Sequence, residues 1–164
     1  MSPDGLVIRR ATDADVGRAV ELLTLGVVPG ASSREDPADG AAYRAALREI
    51  EDSGSSVLVA ELGGEVVGVC QLIVLRHLQS RGGRCAEIES VHVHPDRRGA
   101  GIGEALVRGA IERALELGCY RVQLTSNSAR TDAHRFYERL GFVPSHVGYK
   151  LLLAKSDHPL PDEM

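Results

Sequence analysis

One stretch constrains the fold of this 164-residue chain more than any other: Val91-His-Val-His-Pro-Asp-Arg-Arg-Gly-Ala-Gly-Ile-Gly-Glu-Ala-Leu106. A β-rich run ends near Val93, Pro95 stops its ladder, and an arginine-glycine loop opens directly into a helical pattern. A strand that turns straight into a helix belongs to a domain in which helices pack on a sheet. Glycines at 99, 101 and 103 let backbone N–H groups converge without a Cβ in the way, and the helix N-terminus adds about half a positive charge. The result is an anion cradle suited to a pyrophosphate, with Arg97 and Arg98 beside it. Taken alone, the spacing also suits a plain glycine-rich helix start. Two nucleotide motifs are excluded. A Rossmann fingerprint needs G-x-G-x-x-G and an acidic residue closing the next strand, and a Walker loop needs Gly-Lys-Ser/Thr, whereas this loop holds no lysine.

The flanking sequence supplies the other elements. Leu6 to Arg10 reads as a first strand, and Thr12 as the cap of a helix whose apolar positions are Val16, Ala19, Val20, Leu23 and Val27. Asp36-Pro37 opens a second helix with Tyr43, Ala46, Leu47 and Ile50 on its apolar face. Two β-rich runs around Gly63-Gly64 form a hairpin, because a type I′ turn needs positive φ at both central residues. A turn at Arg81–Arg84 leads into a strand from Ala86 to Val93. A long helix spans about Gly101 to Leu117, with Val107, Ala110, Ile111, Ala114 and Leu115 on one face and Glu104, Arg108 and Glu112 on the other. A strand from Tyr120 to Thr125, a helix from Thr131 to Leu140 ended by Gly141, and a last strand from Tyr149 to Leu153 complete the order βααβββαβαβ. The fold class is α+β (mixed α/β), one domain over residues 1–155, with a disordered tail expected at 156–164.

Composition narrows function. A net charge of −4, 4% aromatics and no tryptophan argue against nucleic acid as a partner. The longest apolar run, Val66 to Leu75, is far short of the ~20 residues a membrane span needs. Cys70, Cys85 and Cys119 are odd in number and lack C-x-x-C spacing, and no histidine pair has metal spacing. The expectation is a soluble cytoplasmic protein without a metal or a signal peptide.

Arg98-Gly-Ala-Gly-Ile-Gly103 resembles the R/Q-x-x-G-x-G/A signature of the GNAT superfamily of N-acetyltransferases. His134-Arg-Phe-Tyr-Glu-Arg-Leu-Gly-Phe142 resembles its F-Y-x-x-x-G-F stretch, about 35 residues further on. The resemblance implies a curved, mostly antiparallel sheet with a splayed parallel pair and about four helices, and acetyl-CoA as co-substrate. It assigns the pyrophosphate to the backbone of Arg98, Gly99, Ala100, Gly101, Ile102 and Gly103, with Glu104 near the end of the site. The strand Val91, His92, Val93 and Asn127 would hold the pantetheine arm, and an N–H near Val93 would stabilise the carbonyl oxygen. Tyr137 matches the family's general acid, although it also shares an apolar face with Phe136 and Leu140.

Acyl transfer to an amine also needs a base. Glu87 and Glu89 lie two apart on one strand and so share a face; each can raise the pKa of the other. Either fits the base, and both also fit a solvated sheet surface. His92 offers a relay through water, though an unbulged strand turns it to the opposite face. His94, His134 and Arg130 read as rim or surface residues. The acceptor is expected to be a small-molecule or peptide amine entering across 26–37 and 144–148, and a homodimer is open. The competing reading is a non-catalytic acyl-CoA-binding module of the same fold.

Overall fold

The Gly63–Gly64 turn forms as its glycines require, with φ of 61° and 83°. It joins β2 (Ser56–Leu62) to β3 (Glu65–Arg76) in an antiparallel pair. In this computed structural model, which describes residues 3–26 and 35–151, five strands lie in sequence order. β1 (Leu6–Arg10) runs antiparallel to β2, β4 (Arg84–Val93) antiparallel to β3, and β5 (Cys119–Leu124) parallel to β4. Between β1 and β2 run α1 (Val16–Leu25) and α2 (Gly40–Asp52). A single turn, α3 (Gln79–Gly82), joins β3 to β4 with left-handed backbone at Ser80 and Arg81. α4 (Ile102–Glu116) makes the parallel crossover, and α5 (Thr131–Arg139) follows β5.

The sheet buries both faces. α4 lays Ile102, Leu106, Val107, Ala110 and Ala114 against Leu72, Ala86 and Ile88 on one side. α1 and α2 lay Val16, Val20, Leu22 and Leu47 against Val59 and Val69 on the other. α4 rides close to the sheet because two glycines clear its path. A Cβ at Gly68 would stand 2.8 Å from the Leu106 side chain, and one at Gly109 would stand 2.8 Å from that of Ile8. The entry to α1 is fixed by charge. Asp15 accepts hydrogen bonds from the Thr12 N–H (2.7 Å) and hydroxyl (2.8 Å) and a forked pair from Arg9 (2.7 and 2.8 Å). The Arg9 guanidinium holds this buried carboxyl well below the usual carboxylate range.

Several sequence expectations change here. Leu115 is 67% exposed, because the buried stripe of α4 runs through 102, 106, 110 and 114 and leaves 115 one step round the helix. Ala46 is likewise exposed beside buried Leu47. The expected strand from Tyr149 is not formed over Tyr149–Leu151; apolar composition suits a strand, but the ladder needs a partner edge, and β5 pairs only with β4 among the described residues. Residues 152–153 of that strand, Val27, residues 28–34 of the first loop, and the tail at 156–164 lie outside the described residues.

Candidate active site

The parallel ladder stops at Ile88 opposite Leu124. Beyond it the two strands part, and the groups that β4 turns toward β5 have no strand to bond. The opening is a cleft of about 240 Å³, lined by Glu89, Ser90, Val91 and His92 of β4, by Thr125, Ser126, Asn127 and Arg130 after β5, and by Tyr137 of α5. That volume suits a small reacting group rather than a whole drug-sized ligand.

β4 is bulged inside the cleft. Gln71 faces Glu89 and Val69 faces His92, so three steps on β4 match two on β3. Ser90 takes up the extra residue with φ 53°, an uncommon, strained conformation for a side chain of this kind. The bulge reverses the alternation, so His92 falls on the same face as Glu87 and Glu89 rather than the opposite one. Gly26, at the end of α1, lies against it: a Cβ there would stand 1.6 Å from the His92 Nδ1. Burial, then the charges of Arg130 and Arg98, lower the pKa of His92 and keep its ring neutral.

The two glutamates separate. Glu87 lies opposite Gln123 within the paired ladder and accepts a hydrogen bond from its Nε2 at 3.2 Å. Glu89 lies past the ladder and lines the cleft. Burial, then the negative charge of Glu87, raise the pKa of Glu89. The Tyr137 ring stands edge-on to Phe136 (5.0 Å) and Phe142 (5.9 Å), so it is both a core contact and a cleft residue. Its phenol is raised chiefly by burial and stays protonated at neutral pH. Asn127 uses its Oδ1 to accept the Ala129 N–H at 2.9 Å, and the His134 Nε2 bonds the Asn127 carbonyl at 2.9 Å, which pins the loop to α5.

The glycine turn lies just past β4. Gly99 and Gly101 have φ of 79° and 78°, which only glycine adopts readily. Gly103 differs: it is helical, and a Cβ there would meet Phe136 and Val93 at an ordinary 3.7 Å. None of the N–H groups of Gly99, Ala100, Gly101, Ile102, Gly103 and Glu104 has a backbone acceptor among the described residues. The Arg98 backbone N–H is spent on the Pro95 carbonyl (3.2 Å) and its Nε on the Val93 carbonyl (3.3 Å), which leaves the two Nη groups of the guanidinium. The Glu104 carboxylate pairs with Arg108 at 2.9 Å, and His94 accepts the Asp96 N–H at 3.3 Å. The buried Ser126 Oγ, in the cleft, has no partner. A row of N–H donors without backbone acceptors just past β4, and an orphaned hydroxyl in the cleft, fit an elongated ligand with an anionic part, as acetyl-CoA is.

Arg130 is exposed, as its reading as a rim residue expects, and it also lines the cleft. The sequence marks Gln123 and Ser126 only by their place along the strand beside the splay; the hydrogen bond of Gln123 to Glu87 and the orphaned Ser126 hydroxyl are what the structure adds.

The fold and cleft together define an acyl-transfer scaffold, and comparison with known proteins agrees. The acetyltransferase (GNAT) family matches residues 27–142 of the chain. An aminoalkylphosphonate N-acetyltransferase of Salmonella typhimurium is 41% identical over 52% of this chain, a match that spans 55% of that relative. Glucosamine 6-phosphate N-acetyltransferase 1 of Oryza sativa is 34% identical over 85% of this chain and 82% of its own length. A solved structure described as a transcriptional regulator from Bacillus halodurans superposes with a TM-score of 0.82 at 41% identity, covering 90% of this chain and 99% of that one. The chain belongs to the acetyltransferase (GNAT) family, and with it to the N-acetyltransferase class of enzymes.

Proposed function

We propose that the protein is an acetyl-CoA-dependent N-acetyltransferase that acetylates a primary amine by direct transfer, with Glu89 as base and Tyr137 as proton donor. The observation that carries this reading is the meeting of Glu89, His92 and Tyr137 in one cleft that begins where β4 and β5 stop pairing. An amine of pKa ~10 is mostly protonated at neutral pH and must lose a proton before it reacts. Glu89, with its raised pKa, is a better proton acceptor than an ordinary carboxylate. Glu87 is the lesser candidate, since Gln123 engages it and it lies inside the ladder. Neutral His92, on the same face, is placed to pass the proton on. Tyr137, protonated and without a hydrogen-bond partner on its hydroxyl among the described residues, is available to donate to a departing sulfur.

Acetyl-CoA, when bound, supplies the activated acetyl group. The N–H groups from Gly99 to Glu104 and the Arg98 guanidinium are the residues proposed to hold its pyrophosphate. The backbone of Val91, His92 and Val93, with Asn127 and the Ser126 hydroxyl, would hold its arm. Both relatives named above are named for small amines that carry a phosphonate or phosphate, which favours a small-molecule acceptor over a peptide amine. A cytoplasmic location suits three cysteines that are all free and buried. A homodimer stands as the proposed assembly, to be tested by light scattering.

The test is a thermal melt with acetyl-CoA beside NAD and ATP, followed by thiol release with an amine panel. A ligand at 100 times its Kd stabilises by about 2.7 kcal/mol, here a Tm rise of roughly 5–10 °C. A rise with acetyl-CoA alone, with thiol release that Glu89→Gln and Tyr137→Phe abolish, is the expected result. Stabilisation by ATP or NAD but not by acetyl-CoA would sink the reading. A non-catalytic acyl-CoA-binding module is a second reading, favoured by the likeness to the Bacillus halodurans transcriptional regulator. It predicts stabilisation by acetyl-CoA without thiol release by any amine.

A further inference from the structure

Arg130 is the one arginine that lines the cleft, and it has no ion pair, side-chain hydrogen bond or ring contact among the described residues. Its backbone is fixed at the start of α5: the N–H bonds the Asn127 carbonyl at 3.0 Å, and its own carbonyl accepts the His134 N–H at 3.1 Å. Only the guanidinium is uncommitted. Its charge is felt at His92 and at Tyr137, residues on opposite walls of the cleft; Glu89 feels burial and the Glu87 anion first and the charge of Lys150 least.

This arrangement is unfavourable for a simple amine. An ammonium approaching Glu89 would meet the exposed, unpaired cation of Arg130 on the same cleft, where like charges repel. A substrate that carries its own anion removes the conflict, with the ammonium on Glu89 and the anion on Arg130. A guanidinium fork matches two oxygens of a tetrahedral oxyanion. With Lys150 nearby, a dianion balances both cations where a carboxylate balances one.

We infer that Arg130 is the specificity-determining residue of the acceptor site and that the acceptor is a primary amine bearing a phosphate or phosphonate group. The inference rests on the acetyltransferase reading above and adds the acceptor's second functional group. The oxyanion source is left to the test: a phosphonate (2-aminoethylphosphonate) or a phosphate ester (glucosamine 6-phosphate).

The experiment compares kcat/KM for each of these with its analogue lacking the anion, ethanolamine and glucosamine, and with β-alanine as the carboxylate arm. Wild type, Arg130→Gln and Arg130→Lys are measured, each with folding checked by melting. Wild type should favour at least one phosph(on)ate amine over its analogue by roughly tenfold or more, the size of a charge-assisted contact. That ratio should collapse in Arg130→Gln and partly survive in Arg130→Lys, with the KM for acetyl-CoA moving less than that for the acceptor. Calorimetric binding of the phosph(on)ate amines to the protein, without turnover, should weaken in parallel in Arg130→Gln. Equal rates for charged and uncharged amines, a preference for β-alanine, or an Arg130→Gln effect confined to the acetyl-CoA KM would each overturn the inference, as would binding indifferent to Arg130→Gln. Failure of the acetyltransferase reading is separately visible as no stabilisation by acetyl-CoA.

Discussion

The two ends of the β4–β5 pair use the same strands for opposite purposes. At the closed end Cys85, Ala86 and Ile88 are buried to within 2% exposure, Ala86, Glu87 and Ile88 pair in unbroken register with β5 after one shift between Arg84 and Ala86, and Gln123 ties down Glu87. At the open end the strand is bulged, half exposed and polar, and beyond Ile88 it has no β5 partner among the described residues. The closed end contributes burial of apolar surface; the open end gives up pairing and accepts a left-handed serine. Reactive groups placed just past the last β4–β5 pair, Glu89 one residue on and His92 four, gain both advantages: a backbone held by pairing with β3 and side chains free to meet a ligand.

That contrast can be broken from either side. The largest effect is expected at the open end, where Glu89→Gln and Tyr137→Phe should each lower kcat by about 10²–10⁴-fold for removal of an acid–base group, with Tm within a few degrees of wild type. At the closed end Ile88→Ala should do the reverse. Loss of a fully packed side chain costs about 2–5 kcal/mol, read as a Tm fall of roughly 5–15 °C, while protein that remains folded keeps most of its activity. Gly26→Ala joins the two ends. Its backbone tolerates alanine, but the new methyl would displace the His92 ring, so we expect about a tenfold loss of kcat/KM with little change in Tm.

A subtler test uses pH. Glu89 must be ionised to accept a proton, and burial together with the Glu87 charge raises its pKa, so kcat/KM should fall on acidification at a pH above the ordinary carboxylate range. Glu87→Gln removes one of those causes and should move this acid limb to lower pH. The smallest effect belongs to a site outside both ends: Arg108→Ala breaks an exposed pair with Glu104 and should change stability by no more than about 0.5 kcal/mol by denaturant titration.

The sequence made the glycine turns and motif residues easier to read than the backbone of the open end. Gly63-Gly64 announces its turn because only glycine takes two positive φ values cheaply, and Gly99 and Gly101 do the same for the cradle. Tyr137 and the two glutamates were legible from motif and spacing. The bulge at Ser90 was not, since serine carries no local mark of a left-handed backbone; the register against β3 imposes it, and with it the face of His92. Arg130 is exposed, as a rim residue is; that it also lines the cleft follows from where α5 docks, which no alternation of apolar residues encodes. The strand expected from Tyr149 failed on the same ground as the others, a partner edge that local composition cannot supply.

The close seating of α4 at Gly68 and Gly109 bears on how this scaffold can be re-engineered. The N–H cradle rides on the first turn of a helix clamped to the sheet by two contacts with no slack. Libraries that diversify the segment around Arg130, or residues 144–148, can therefore explore new acceptors while the anchoring half of the molecule stays constant. A library that includes positions 68 or 109 would shift both halves together, and its hits could not be assigned to either.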